Sequence, residues 1–448
     1  MTPQSSFMVS APIDPAQMAE LKVLLGSMNI ENRLGMADPA NPFVPFGTFA
    51  KLHYARFVIL DDQTLGDFAR IGEPVPDYPI ELAFLGDCDG PVEDFLKEVA
   101  VRADAGLRQI FSHCEGFDSK TDLLGWMQQH SLPAAASYVN HIGRTVGQIR
   151  REDALRRKLV SFLKENPPPP TETLQQTRNR LAAHAQQENL IPPSDEPTPI
   201  GWRIRNFLHA ITLPAVAFAF ILAFIVVGIA HPFPVTLLAF ALLTAVLIFI
   251  AVSRAYEKAE PEITIRPSDG HAKDLGALED YDAVNQFSVI GSVKPSAFRR
   301  RMLMINLWAI DWVARHIYNR GYLARIRTIH FARWTFMNNN RRVMFASSYD
   351  GSLESYNDDF INKGGFGLNF AFGAALGYPR TNWVFLAGAK DEQKFKYVLR
   401  RHQLPTEVWY NAYPTLTVYD LARNSRVRDG IGRDSMSDAE IRTWLADL

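Results

Sequence analysis

At 448 residues the chain is too long for one ordinary core, and with 47% hydrophobic and 21% charged residues most of it is expected to fold, in two or three domains. Its 47 Lys and Arg nearly balance its 48 Asp and Glu, so the charge gives no sign of a nucleic-acid partner. The two cysteines, Cys88 and Cys114, form no CxxC pair, which argues against a disulfide framework or a cysteine zinc site and fits a reducing compartment.

The first ten residues lack the basic stretch and apolar run of a signal peptide. Residues 1–150 predict a first domain. Residues 7–13 read as a strand and 14–28 as a helix opened by Asp14 and Pro15. Strands are expected at 52–60 and 81–85, a helix from Gly90-Pro91, and a last strand at 134–139. Residues 151–200 read as a linker, with a charged helix over 151–165, a polyproline spacer at 167–170 and a polar helix over 171–187.

Between 206 and 253 there is no Asp, Glu, Lys or Arg. As a helix, 207–230 would extend about 36 Å at roughly 1.5 Å per residue, enough to cross a hydrocarbon core of about 30 Å. His231-Pro232-Phe233-Pro234 then breaks the helix, and a second apolar segment follows, so 207–252 predicts a transmembrane hairpin. Arg203, Arg205, Arg254 and Lys258 flank the two spans, and the turn between them has no Lys or Arg. The positive-inside bias therefore predicts a multi-pass protein of the plasma (inner) membrane with both termini cytoplasmic.

Residues 253–284 read as a second linker and 285–430 as a second domain, with strands at 287–293, 329–337, 342–347 and 408–413 and helices from Pro295-Ser296 and after Gly351. In 431–448, Ser437 and Glu440 form a capping box that opens a short final helix.

Three blocks recur in the same order. Leu52-His53-Tyr54-Ala55-Arg56-Phe57 returns as Ile329-His330-Phe331-Ala332-Arg333-Trp334, and 81–90 aligns without gaps on 342–351. His130-Ser131-Leu132-Pro133 returns as His402-Gln403-Leu404-Pro405; Tyr138 and Tyr410 follow at one common offset, Thr145-Val146 and Thr417-Val418 at another. Both halves then read β-α-β-β-α-β, and the expected fold is α+β, with two ferredoxin-like copies. Alternation assigns His53, Ala55, Phe57 and Ile59 to one face of the repeated strand and Leu52, Tyr54, Arg56, Val58 and Leu60 to the other. With both faces apolar, each sheet needs cover beyond its own helices, and the other copy's sheet would supply it in a pseudo-symmetric α/β barrel or sandwich.

In this element order the chain resembles the dimeric α/β-barrel superfamily, which includes dye-decolourising peroxidases and chlorite dismutase-like haem proteins. Gly86-Asp87-Cys88-Asp89-Gly90 spells the GxxDG motif of those peroxidases. The resemblance implies haem as a cofactor and a catalytic role for Asp89 in peroxide cleavage. The residues themselves also fit plain helix capping, with Gly90 as N-cap, Pro91 in the first turn and Glu93 reaching back.

His53 and His330 read as core histidines or binding residues. Arg56 and Arg333, if buried, require carboxylates, and Asp89 and Asp350 are the expected partners. Tyr410 joins them as a candidate binding residue. From Arg299 to Arg342 there are ten arginines and one acid, Asp311, so Arg299, Arg300 and Arg301 are candidates for contact with anionic lipid. No P-loop, GxSxG, HExxH or metal-ligand set stands out. The functional expectation is a membrane-anchored module binding a small molecule, lipid or protein partner between the two copies; the alternative is a haem-dependent peroxidase-like oxidoreductase.

Overall fold

The computed structural model describes residues 1–191, 196–230, 232–323 and 325–448; the expected helix breaker His231 lies outside them. The fold is α+β. Its first stretch runs β1 (Gln4–Pro12), α1 (Met18–Gly26), β2 (Gly35–Met36), β3 (Leu52–Leu60), α2 (Asp67–Arg70), β4 (Glu81–Asp89), α3 (Val92–Arg102), α4 (Asp104–Phe111), α5 (Leu123–Gln129) and β5 (Ala134–Val139). Four helices follow: α6 (Val146–Glu165), α7 (Leu174–Gln187), α8 (Ile200–Ala230) and α9 (Pro232–Ala259). After α10 (Asp269–Gly276) come β6 (Val284–Ser292), α11 (Ala297–His316), β7 (Ile329–Met337), β8 (Arg342–Asp350) and α12 (Leu353–Phe372). The chain ends with β9 (Thr381–Asn382), β10 (Leu386–Ala387), α13 (Glu392–His402), β11 (Thr406–Asn411), α14 (Val418–Gly432) and α15 (Asp438–Leu445). The expected linker 253–284 thus holds the end of α9 and all of α10, and α12 runs unbroken through Gly364, Gly365 and Gly367.

The main sheets have the orders β1-β4-β3-β11-β2 and β5-β7-β8-β6, so each contains a strand from the opposite half of the chain. The repeated His-x-Leu-Pro segments are where the chain changes sheet. Leu132 donates its amide to Met8 beside β1, and Leu404 donates to Ser288 beside β6. The next residue in each case is proline, which has no amide to continue the ladder. The chain then leaves: β5 pairs with β7 and β11 with β3. The sheets do not divide at residue 150.

In both sheets the histidine of the repeated strand is an extra residue. Leu52 pairs with Cys88 and Tyr54 with Asp87, leaving His53 as a bulge; Ile329 pairs with Tyr349 and Phe331 with Ser348, leaving His330 as another. A bulge resets the alternation of side chains. This corrects the face assignment from simple alternation. Leu52 joins Ala55, Phe57 and Ile59 under the helices, whereas His53 lies beside Tyr54, Phe331 and Tyr413 on the inner side.

The inner faces of the two sheets pack on each other. Val58, Leu60 and Leu85 of one meet Ile290, Met337 and Met344 of the other in a buried cluster, and larger clusters lie between each sheet and its helices. This explains why β3 and β4 are buried at every position.

α8 and α9 are long and apolar enough to cross a membrane. Their apolar windows are 0% and 6% buried, unlike a helix in a soluble core. Both are fixed to the body formed by the sheets and their helices. On α9, Glu257 accepts from the Thr381 hydroxyl and the amides of Trp383 and Val384, and just past its end Glu260 takes both Nε and Nη2 of Arg299. On α8, the His209 carbonyl accepts the Trp312 indole N–H at 3.1 Å.

Candidate functional site

The bulges direct both histidines to the inner side, where each meets the acid that ends the neighbouring strand. His53 Nε2 lies 2.9 Å from Asp89 Oδ1, and His330 Nε2 lies 2.6 Å from Asp350 Oδ1. The second oxygen of each carboxylate caps a helix. Val146 at the start of α6 donates its amide to Asp89 Oδ2 at 2.9 Å, and Val418 at the start of α14 donates to Asp350 Oδ2 at 2.8 Å. A carboxylate there meets free amides and the positive end of the helix dipole. Thr145 and Thr417 complete the caps with their hydroxyls, which explains the Thr-Val pairs at a fixed distance from each His-x-Leu-Pro.

Gly90 and Gly351, after the acids, have φ of +86° and +80°, a turn that favours glycine. Gly90 is therefore not an N-cap, and Asp89 caps α6 rather than the adjacent α3, which has Pro91 at its N-cap. Gly86 has a packing role. A Cβ there would stand 2.3 Å from the Tyr54 carbonyl oxygen and 2.6 Å from the Phe7 ring.

Tyr413 links the two motifs. Its hydroxyl is 2.8 Å from His53 Nδ1, and its ring lies 6.1 Å from that of His330. A neutral His53 with its proton on Nε2 satisfies both neighbours, donating to Asp89 and accepting from Tyr413. Burial, with the charges of Asp89 and Asp87 adding to it, holds the Tyr413 hydroxyl well above the usual phenol range, so Tyr413 is a hydrogen-bond donor at neutral pH. Tyr54 and Arg144 complete the surroundings: the Tyr54 hydroxyl faces that of Tyr413, and the buried Arg144 Nε has no hydrogen-bond partner among the described residues. A cavity of about 20 Å3 lies among His53, His330, Arg144 and Tyr413, enough for one water.

The arginines do not pair with Asp89 and Asp350, which are taken by the histidines. Each instead crosses to the opposite sheet. Arg333 reaches Asp87 at 2.9 Å and the Phe7 carbonyl at 2.5 Å. Arg56 has no carboxylate at ion-pair distance among the described residues: its Nη atoms donate to the Phe287 and Ser347 carbonyls and the Ser288 and Ser348 hydroxyls, all at 3.0 Å. Its guanidinium also lies 4.7 Å from the Trp409 ring centre. Phe7 and Phe287 precede the points at which Leu132 and Leu404 bond to β1 and β6, so each arginine fills the gap left by a departing strand. Burial, and next the nearby Arg333 charge, lower the Arg56 pKa to about 9, which still leaves it charged at neutral pH.

Tyr410 stands apart from this cluster, on the helix side of its sheet, stacked on Phe46 at 5.3 Å. Arg299 is buried against Glu260 and is not available to lipid; Arg301 is exposed. A haem does not fit at Asp89: both oxygens of the carboxylate are engaged, and the adjoining cavity of about 20 Å3 is far too small for one.

A cleft of about 620 Å3 opens where the chain leaves β1 for the second sheet. Its lining includes Ser5 and Phe7 of β1, Glu93, Ser131, Ala134 of β5, Arg315 of α11, and Trp202 and Arg205 on the first turns of α8. Sequence reasoning did not connect these residues as a site: it read Arg205 as a flank of the hairpin, Glu93 as a capping residue, Ser131 as part of a repeat and Asp87 as part of the GxxDG motif, and it passed over Tyr413. No protein-family model, curated protein or solved structure matches the chain.

Proposed function

We propose that this chain is a membrane-anchored binding module whose cleft, at the foot of α8, takes an amphiphilic molecule with an anionic head. In this reading α8 and α9 cross the plasma (inner) membrane as a hairpin, and Arg203, Arg205, Arg254 and Lys258 keep both termini cytoplasmic. The soluble body is read as two duplicated ferredoxin-like units of the dimeric α/β-barrel type, joined by exchange of their last strands. Support for duplication comes from the matching bulges at His53 and His330, the matching His–Asp–helix contacts and the proline switch points.

The observation that carries the binding role is the position of the cleft. It lies between the halves, and Trp202 and Arg205 on its wall immediately precede the uncharged run that begins at Asn206. A headgroup can enter there while its tail stays beside α8, with Arg205 and Arg315 facing the negative charge. The buried His–Asp motifs serve as scaffold, pinning α6 and α14 to the sheets.

The test uses full-length protein in nanodiscs and native mass spectrometry of what is retained. An anionic amphiphile is expected to remain bound to the wild type. Arg205→Glu, which reverses the charge, and Ala134→Trp, which fills the cleft, are expected to release it. Unchanged retention in both variants would overturn the proposal.

A further inference from the structure

The helix α11 lies across the foot of the membrane hairpin. Phe298, Ile305 and Trp312 recur every seven residues, so they share one face. Phe298 stacks on Tyr256 of α9 at 5.0 Å and also meets Phe249 at 5.7 Å. About 21 Å farther along, at roughly 1.5 Å per residue, Trp312 donates to the His209 carbonyl of α8. The contacts at Phe249 and His209 fall just inside the limits of the uncharged stretch, which runs from Asn206 to Ser253, and the one at Tyr256 lies just past its end. The axis of α11 is thereby held at the level where the chain becomes apolar.

Ile305, midway between these contacts, is 65% exposed. With Arg301, Met304 and Trp308, also exposed, it forms a stripe at the i, i+3, i+4, i+7 spacing of one helix face. Beside α9, the turn held by Glu257 presents Trp383 and Phe385, both exposed, and Phe385 stacks on the exposed Phe366 at 4.8 Å. Asp311, the one acid between Arg299 and Arg342, is turned away to the Ser137 amide and Arg315.

We infer that this collar, the α11 stripe together with Trp383 and Phe385, rests in the headgroup region of the bilayer that holds α8 and α9, fixing the soluble body flat against the membrane. The inference rests on the reading of α8 and α9 as membrane spans. Continuity with those helices identifies the occupant: the stripe lies between two contacts made by the spans themselves. Its composition agrees, with tryptophans and an arginine over aliphatic side chains and no exposed acid on α11.

Nitroxide labels on the full chain in phosphatidylcholine–phosphatidylglycerol vesicles test this. Cys88 and Cys114 are buried, so an introduced cysteine takes the label. Ile305→Cys and Phe385→Cys are compared with Val23→Cys, on an exposed face of α1, and Leu238→Cys on α9. Labels at 305 and 385 are expected to lose the collisions with an aqueous nickel chelate that 23 retains, and to gain collisions with oxygen as at 238. If 305 and 385 are as accessible to nickel as 23 while 238 is in lipid, the collar is overturned and the spans stand. If 238 is also aqueous, the membrane reading itself fails, and the collar with it. Shielding of 305 from both reagents would mean that protein covers the face, which also overturns the inference.

Discussion

Asp87 and Ser348 occupy corresponding places in the two sheets, each paired with the residue just after a bulged histidine, yet one gives Arg333 a carboxylate and the other gives Arg56 a hydroxyl. The halves therefore bury the same charge by different means: Arg333 by an ion pair, Arg56 by dipoles and an aromatic face. Asp87→Asn is expected to destabilise the body by about 3–5 kcal/mol, because it leaves a buried guanidinium without its counter-charge. Ser348→Ala removes one hydrogen bond to a charged group and is expected to cost about 1.5–3 kcal/mol. Denaturant titration of both variants in detergent checks the order, and equal losses would contradict it.

Asp89 and Asp350 each join a bulged strand to the start of a distant helix. Asp89→Asn and Asp350→Asn should each weaken a charged hydrogen bond, at a cost of about 1.5–3 kcal/mol. Faster hydrogen exchange is expected at the Val146 amide in the first variant and the Val418 amide in the second. Exchange unchanged at both amides would exclude the capping role.

His402 is buried, its Nδ1 near the Ile290 carbonyl and the Thr64 hydroxyl and its Nε2 without a hydrogen-bond partner among the described residues. Burial lowers its pKa below the ordinary value of 6.5. Since the folded state disfavours the charged ring, the unfolded chain binds the proton more readily. The contribution of a neutral His402 is therefore full above pH 6.5 and is lost as the pH falls from there towards the folded-state pKa. Denaturation midpoints of the wild type are expected to drop through that window, and His402→Gln should reduce the drop. Parallel profiles for the two proteins would contradict this.

The hairpin reading requires both ends of the chain to share one side of the membrane. Topology reporters fused before Met1 and after Leu448 are expected to give the same cytoplasmic signal. Opposite signals would reduce the two spans to one.

Much of the scaffold was legible in the sequence because it depends on local pattern. The apolar runs of β3 and β7, the capping box at Ser437 and the uncharged stretch from Asn206 to Ser253 all declare themselves by composition and period. The inner site was less legible. A bulge adds one residue without changing composition, so counting by twos assigned His53 and Leu52 to the wrong faces. Partner choice across the sheets was hidden for a related reason: Asp87 and Asp89 are two residues apart on one strand, and only the packing of the two sheets on each other determines which acid faces Arg333. The recurrence of Thr145-Val146 and Thr417-Val418 was the one trace of where the carboxylates point. The cleft left no motif, because its walls come from strands and helices far apart in the chain.

The exchange of β5 and β11 sets a schedule for synthesis. β1, β3 and β4 leave the ribosome early, but β3 lacks its second neighbour until residues 406–411 emerge, after both apolar helices have been made. Throughout that interval the open side of β3 is an unpaired strand edge, the kind of surface that misassociates. Neither half can close by folding alone, so a chain that stops after α9 holds two long apolar helices and a sheet still missing a strand. Completion of the first sheet therefore follows the synthesis of both apolar helices.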